Sequence, residues 1–198
     1  MKKSLLIVFI VLLFDQSLKF WIKMHMTLGQ EFHIAGNWFI IHFTENNGMA
    51  FGMQFAGDYG KLFLSIFRII AVILIAFYLY RVTRHKTSNG FILSMSLILA
   101  GAIGNILDSA FYGMIFSEST YFDVARFLPS GGGYSHFLHG RVVDMFYFPI
   151  LQGNYPSWVP FLSGQDYIFF RPVFNVADSA ITVGVILLLF FQGIITKK

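Results

Sequence analysis

Four apolar runs divide the chain of 198 residues, at positions 4–22, 62–82, 90–113 and 173–196. Each run approaches the roughly 20 residues that a helix needs to cross the hydrocarbon core of a bilayer. The pattern predicts a membrane protein of the all-α class, in which four transmembrane helices form one domain that covers positions 1–198.

The two long connections between these runs, 24–61 and 114–172, predict structure outside the bilayer. In the first connection, apolar and polar residues alternate around a turn at 35–37, which predicts a small hairpin or sheet. The second connection is rich in glycine, proline and aromatic residues without a sustained period, which is typical of a lid, a binding element or a partly disordered segment. Within it, positions 114–139 contain no motif that assigns them a role.

The composition supports the membrane class. Hydrophobic residues make up 56% of the chain and charged residues only 12%, whereas soluble domains contain about 25% charged residues. The chain has no cysteine, which excludes disulfides, a thiol nucleophile and a thiolate metal site. Its net charge of +4 comes from basic residues at the ends of the apolar runs rather than from one stripe, so we expect no nucleic-acid partner.

The placement of these basic residues predicts the orientation of the chain. They lie at both termini and between the second and third apolar runs: Lys2, Lys3, Arg81, Arg84, Lys197 and Lys198. By the positive-inside rule, both termini and the short connection after position 82 face the cytoplasm. The segments 24–61 and 114–172 then lie on the outer side.

Two carboxylates lie beside apolar sequence, Asp144 in RVVDMFYF and Asp178 in FNVADSAITVG. An ionised carboxylate near hydrocarbon is unfavourable unless it is paired, protonated or facing a polar cavity, so such residues indicate a functional site. At about 1.5 Å per helical residue, Asp15 and Asp108 also fall toward the outer half of the bilayer. The sequence therefore predicts that these acids converge near the outer face.

Structural roles stay open for the same side chains. Asp15 and Lys19 are four residues apart on one helix face and can form a structural ion pair. Asp178 can cap the fourth helix, because aspartate favours helix starts. Asp144 can be a solvated loop residue.

An asparagine precedes an aspartate by three positions twice, at Asn105 and Asp108 and again at Asn175 and Asp178. Residues three apart share a helix face, so each asparagine can orient a polar neighbour of its aspartate. Hydrogen bonding between helices is the structural alternative for the first pair. Gly104 precedes that pair and permits close approach of a second helix.

Two carboxylates held close together cannot both ionise easily, so one keeps a proton while the other acts as a base. Such a pair can activate water against a peptide bond without a metal or a cofactor. His136 and His139 have no third ligand for zinc. On the residues alone, an acid-lined transporter or proton pathway stays open as an alternative, as does a non-enzymatic scaffold.

Five segments carry a resemblance to a known family: FDQSLK, TENNGMAFG, GAIGNILD, GRVVDMFYF and FNVADSAITVG. In this order they resemble the motif blocks of the lipoprotein signal peptidases, the bacterial signal peptidase II aspartyl proteases. The resemblance implies that Asp144 and Asp178 are the catalytic aspartates. It implies further residues that bind substrate or shape the site: Asp15, Lys19, Asn46, Gly48, Gly104, Asn105, Asp108, Arg141, Asn175 and Ala177.

The resemblance also implies the reaction and its setting. The substrate would be a diacylglyceryl-modified prolipoprotein, cleaved before the lipobox cysteine by a monomer in the bacterial inner membrane, close to the outer face and in contact with lipid. The first outer segment would form a small extracytoplasmic β-sheet cradle, and globomycin-type inhibitors would occupy the same cleft. The chain departs from the family at Ser109, where many members have arginine, and in the longer stretches before and after Asp144.

Overall fold

The structure of this protein is a computed structural model that describes residues 1–47, 57–85, 87–161 and 164–195. The predicted site residue Gly48 and the two C-terminal lysines lie outside the described residues. The helices and strands follow one another as α1 (Lys2–His25), β1 (Glu31–Ala35), β2 (Phe39–Asn46), α2 (Gly57–Val82), α3 (Asn89–Leu107), α4 (Gly113–Ile115), β3 (Val142–Tyr147), β4 (Leu151–Asn154), β5 (Asp166–Phe169), β6 (Val173–Phe174) and α5 (Val176–Ile195).

Three helices in the described part of the chain are long and apolar enough to cross a membrane, Lys2–His25, Gly60–Val82 and Asn89–Ile115. The third is α3 continued through a π-helical turn, Asp108–Tyr112, into α4. The described apolar part of α5 is shorter, Val176–Phe191. These helices indicate a multi-pass membrane protein, and the fourth span stays a prediction.

The surfaces of α1 and α2 match this setting. Large apolar side chains such as Phe9, Leu13, Phe67 and Leu74 are exposed along both helices, which in water would form an unfavourable apolar patch. The opposite face of α1 buries polar residues instead: Ser4, Asp15, Lys19 and Lys23. The helix therefore presents hydrocarbon outward and charge toward the interior of the protein.

The predicted hairpin in the first connection is confirmed, because β1 pairs with β2 in antiparallel register. The sheet continues in the order β1-β2-β3-β6, so the second connection supplies strands rather than only irregular loop. Its β4 and β5 form a separate two-stranded sheet. The pairing of Phe146 with Phe174 brings the end of β3 beside the residues that lead into α5.

The start of the last helix was predicted at position 173, and this boundary is wrong. Val173 and Phe174 pair with β3 as a short strand, and the helix begins at Val176. The backbone groups of Val173 and Phe174 form their hydrogen bonds with β3 instead of within a helix. Asn175 then caps the helix that follows. The third predicted helix, 90–113, instead runs through the π-helical turn to Ile115.

The segment at 114–139 packs on the end of α1 and the sheet. Phe116 and Phe127 form a β-bridge, and the Leu28 amide donates to the Thr120 carbonyl at 2.9 Å. Buried Lys23 pairs with Glu45 and donates to the Ser119 hydroxyl. A buried apolar cluster lies beneath: Ile22, Met26, Phe43, Tyr112, Phe116, Val143 and Met145.

Candidate active site

The predicted catalytic pair is bridged by one residue, Asn175. Its Nδ2 donates to Asp144 Oδ1 at 2.7 Å, and its backbone amide donates to Asp178 Oδ2 at 3.3 Å. Asn175 is fully buried and Asp144 is 2% exposed. The two carboxylates therefore accept hydrogen bonds from the same residue although they come from different elements, β3 and α5.

Asn175 and Asp178 form a reciprocal cap at the start of α5. The Asp178 amide donates to Asn175 Oδ1 at 2.9 Å, while the Asn175 amide donates to the Asp178 carboxylate. This is a capping box, which satisfies two backbone amides that the helix leaves without a partner. The interpretation of Asp178 as the N-cap is wrong, because Asn175 occupies that position and Asp178 lies in the first turn.

The sheet fixes the other member of the pair. Asp144 lies opposite Thr44 in the β2–β3 register, and the Asn46 side-chain Nδ2 donates to Asp144 Oδ2. The Val143 carbonyl accepts from Asn175 Nδ2 at 3.2 Å. Asp144 is thus a buried strand residue, and its interpretation as a solvated loop residue is wrong.

A buried ion cluster lies behind the pair, with Lys19 at its centre. Lys19 Nζ lies 3.0 Å from Asp15 Oδ2 and 2.8 Å from Asp108 Oδ2. It also donates to Asn105 Oδ1 at 3.1 Å. The predicted pair of Asp15 and Lys19 therefore exists, but it is part of a larger cluster that joins α1 to α3. Removing one charge from such a buried group leaves another uncompensated, which typically costs about 3–5 kcal/mol.

Both carboxylates of this cluster also hold the backbone next to the predicted catalytic residues. Asp108 Oδ2 accepts from the Val143 amide at 3.1 Å, one residue before Asp144. Asp15 Oδ1 accepts from the Ala177 amide at 2.9 Å, one residue before Asp178. The ion cluster thus fixes both the strand and the helix end that carry the pair.

The two asparagine–aspartate pairs behave differently. Asn175 and Asp178 hydrogen-bond to each other as described above. Asn105 and Asp108 have separate partners: Asn105 Nδ2 donates to Asp178 Oδ1 at 2.8 Å, and Asp108 forms an ion pair with Lys19. The π-helical turn begins at Asp108, and π-bulges are frequent at functional sites.

Gly104 permits the close approach of three of these elements. A Cβ at this position would lie 2.8 Å from Asp15 Oδ2 and 3.1 Å from the Ala177 Cβ. The first distance is too short for an unstrained side chain, and the second is tighter than most Cβ contacts. The glycine therefore lets α3 contact α1 and the first turn of α5 at the level of the ion cluster.

Burial raises the pKa of the Asp144 carboxyl to about 7, and repulsion from Asp178 adds to the rise. Lys19 and the hydrogen bonds from Asn175 and Asn46 act in the opposite direction. A carboxyl with a pKa near neutrality can hold a proton under physiological conditions. A raised pKa of this kind is what the sequence predicts for one member of a catalytic pair.

Arg141 is not brought to the aspartate pair. Its guanidinium lies 3.0 Å from Glu118 Oε1 and 3.5 Å from Glu45 Oε2. Its backbone amide donates to the Tyr134 hydroxyl at 2.7 Å. In this arrangement Arg141 ties the 114–139 segment to β2, at the edge of the site.

Two residues near the site were not singled out in the sequence. Gln16 donates to Asp15, to Asp108 Oδ1 at 2.9 Å and to the Gly104 carbonyl. Its position next to Asp15 in the motif FDQSLK was the feature of the sequence that could have identified Gln16 as a site residue. Arg68 lies in α2 and interacts electrostatically with Asp178 and Asp144. The signal for Arg68 was a single charge inside a long apolar run.

The fold and this site define a multi-pass membrane protein that holds two carboxylates together at the junction of a sheet and a helix. The family model for Signal peptidase (SPase) II matches residues 7–193. The chain belongs to the signal peptidase II family, and it is therefore a peptidase.

Curated relatives agree with this assignment, and a solved structure has the same fold. The chain is 50% identical to the lipoprotein signal peptidase of Porphyromonas gingivalis over 184 residues, which cover 92% of this chain and 79% of the relative. It is 40% identical to the lipoprotein signal peptidase of Amoebophilus asiaticus over 185 residues, 92% of this chain and 74% of the relative. A bacterial membrane enzyme solved at 2.3 Å by the in meso method has the same fold, with a TM-score of 0.66 and 24% identity, covering all of this chain and 91% of the other.

Proposed function

We propose that this protein removes the signal peptide from diacylglyceryl-modified prolipoproteins by cleaving before the lipobox cysteine, and that Asp144 and Asp178 form its catalytic pair. The family and the named relatives support the activity. The observation that carries the catalytic assignment is the bridge made by Asn175, which hydrogen-bonds both carboxylates. The alternative of a transporter or proton pathway has no support in these comparisons.

The environments of the two carboxylates divide the chemical roles between them. Asp144, with its pKa raised to about 7, keeps the proton and acts as the general acid. Asp178 accepts hydrogen bonds from Asn105 and Asn175 and lies in the first turn of α5, where the helix dipole favours negative charge. Asp178 is therefore the general base.

In the reaction, Asp178 takes a proton from water as the water oxygen attacks the scissile carbonyl carbon. Asp144 donates its proton to the carbonyl oxygen, which stabilises the tetrahedral intermediate. When the C–N bond breaks, the proton held by Asp178 passes to the departing amine of the cysteine, and Asp144 recovers its proton from the collapsing hydroxyl. The products are the free carboxyl end of the signal peptide and the lipid-modified amino terminus.

The proposed setting is the bacterial inner membrane, with both termini in the cytoplasm and the site near the outer face. This placement follows from the basic residues at the start of α1 and between α2 and α3, because such residues favour the cytoplasmic side. The four-stranded sheet would then form the extracytoplasmic cradle. We further propose that the enzyme acts as a monomer, that substrate enters from the surrounding lipid, and that globomycin-type inhibitors bind in the same cleft.

Cleavage of a purified prolipoprotein with and without its diacylglyceryl group tests the activity. The modified protein should be cut once, and mass spectrometry should locate the new amino terminus at the lipid-bearing cysteine. Cleavage of both forms at equal rates, or cleavage elsewhere in the signal peptide, would contradict the proposed substrate. Denatured enzyme and a prolipoprotein with the lipobox cysteine replaced by serine serve as controls.

A further inference from the structure

The apolar helix α2 carries one charged residue in its middle, away from the helix ends where basic residues set the orientation in the membrane. Between Lys61 and Arg81, both near the ends of the span, Arg68 is the one charged residue in the sequence. An arginine inside a membrane helix is unfavourable unless it faces the interior of the protein or a polar cavity with a partner. Arg68 is half-buried among strongly apolar neighbours. A charge in such an environment is stabilised by a negatively charged partner.

The contacts of α2 show which way this helix face points. Lys61 Nζ donates to the His139 carbonyl at 2.7 Å, and the Ser65 hydroxyl, which donates to the Lys61 carbonyl, lies 3.2 Å from the Leu138 carbonyl oxygen. Arg68 follows Ser65 by three positions and Lys61 by seven, so it lies on the same helix face. That face is directed at the segment that leads into β3 and Asp144, and Arg68 lies one turn further along it.

Arg68 also interacts with the catalytic pair. Among the described residues, the carboxylates that act electrostatically on Arg68 are Asp178 and, more weakly, Asp144. Three other cations around the site form their ion pairs with other carboxylates, although Lys19 also lowers the pKa of Asp144. Lys19 pairs with Asp15 and Asp108, Lys23 with Glu45, and Arg141 with Glu45 and Glu118.

We propose that Arg68 is a positioning residue that acts as the countercharge of the aspartate pair, holding Asp144 and Asp178 in the singly ionised state that the reaction uses. A pair that shares one proton carries one negative charge. The guanidinium of Arg68 neutralises this charge from the α2 side without accepting or donating a proton during the reaction. This inference rests on the proposed catalytic role of the pair.

The pH profile of cleavage tests the proposal. The other charged groups around the site remain in all variants: Asp15 and Lys19 on α1, Glu45 on β2, Asp108 after α3 and Arg141 before β3. Loss of the Arg68 charge disfavours every anionic state of the pair. In Arg68→Gln, both limbs of the kcat/KM profile should therefore move to higher pH. A displacement of about one pH unit would change the rate on a limb about tenfold.

Two further variants separate charge from packing. Arg68→Lys keeps the charge, so its profile should keep the wild-type position even if the maximum is lower. Arg81→Gln makes the same substitution at the exposed end of the same helix and should leave the profile unchanged. If Arg68→Gln lowers the maximum but leaves both limbs in place, Arg68 is a packing residue and the proposal is wrong.

A thermal unfolding cycle tests the same coupling without any assay of cleavage. Wild type, Arg68→Gln, Asp178→Asn and the double variant are compared in detergent. The loss of Arg68 should lower Tm less when Asp178 is already neutral, and this holds even if Arg68→Gln alone is too unstable to assay. Additive changes in Tm would overturn the proposal. If the Asp144→Asn and Asp178→Asn variants cleave normally, the catalytic assignment fails, whatever the cycle shows.

Discussion

Asn175→Ala is the substitution that isolates the bridge between the two aspartates. The asparagine side chain caps α5 by accepting from the Asp178 amide at 2.9 Å and donates to Asp144 at 2.7 Å and to the Val143 carbonyl at 3.2 Å. Loss of a helix cap costs about 1 kcal/mol, and loss of a buried hydrogen bond to a carboxyl group about 1.5–3 kcal/mol. The free energy of unfolding should fall by about 3 kcal/mol.

The effect on cleavage should be comparable, because the same side chain sets the relative position of the catalytic pair. We expect kcat/KM to fall about 100-fold, which corresponds to about 2.7 kcal/mol. Asn154→Ala is the matched control, since Asn154 is an exposed strand residue whose side chain bonds Asp166. Both quantities are measured in detergent, by thermal unfolding and by prolipoprotein cleavage. Near-normal cleavage by a folded Asn175→Ala variant would refute the role of the bridge.

Other predictions concern packing and protonation. Gly104→Ala should destabilise the protein by about 1–3 kcal/mol, because the added Cβ would meet Asp15 and Ala177. Gly131→Ala is the control and should have little effect in the same unfolding assay, because its added Cβ would meet no other atom. The pKa of Asp144 is raised to about 7 from an unfolded value of about 3.9. At a pH between these two values, the folded state therefore binds one more proton than the unfolded state. The contribution of Asp144 to stability should therefore decrease as pH rises from about 4 to 7, and Asp144→Asn should remove this dependence. Cleavage should decline as pH rises through about 7, since Asp144 then loses the proton it donates; a rate that keeps rising well above pH 7 would argue against Asp144 as the acid.

The apolar runs and the alternating segment predicted the helices and the first hairpin because both signals are local. At Val173 the local signal gave the wrong element, because pairing with a distant strand overrides an apolar sequence that suits a helix. Local sequence also did not distinguish the roles of the two asparagines that precede an aspartate by three positions. Asn175 lies at a helix start and caps it, whereas Asn105 lies inside a helix and reaches another element.

Most components of the site were predictable, but the way they are connected was not. The five sequence motifs identified Asp144, Asp178 and Lys19, yet the ion cluster depends on which backbone amides face its carboxylates. Hydrogen bonds from Val143 to Asp108 and from Ala177 to Asp15 join residues far apart in the chain. Such pairings depend on the packing of α1, α3 and the sheet, which no local pattern specifies.

Cleavage by Asp144→Asn and Asp178→Asn variants tests the catalytic assignment most directly. Each variant is compared with wild type on a diacylglyceryl-modified prolipoprotein, after thermal unfolding has shown that it is folded. Asp166→Asn, an exposed aspartate on β5, provides the matched control. We expect both site variants to lose cleavage while Asp166→Asn retains it. Full activity in a folded Asp144→Asn or Asp178→Asn variant would contradict the catalytic assignment.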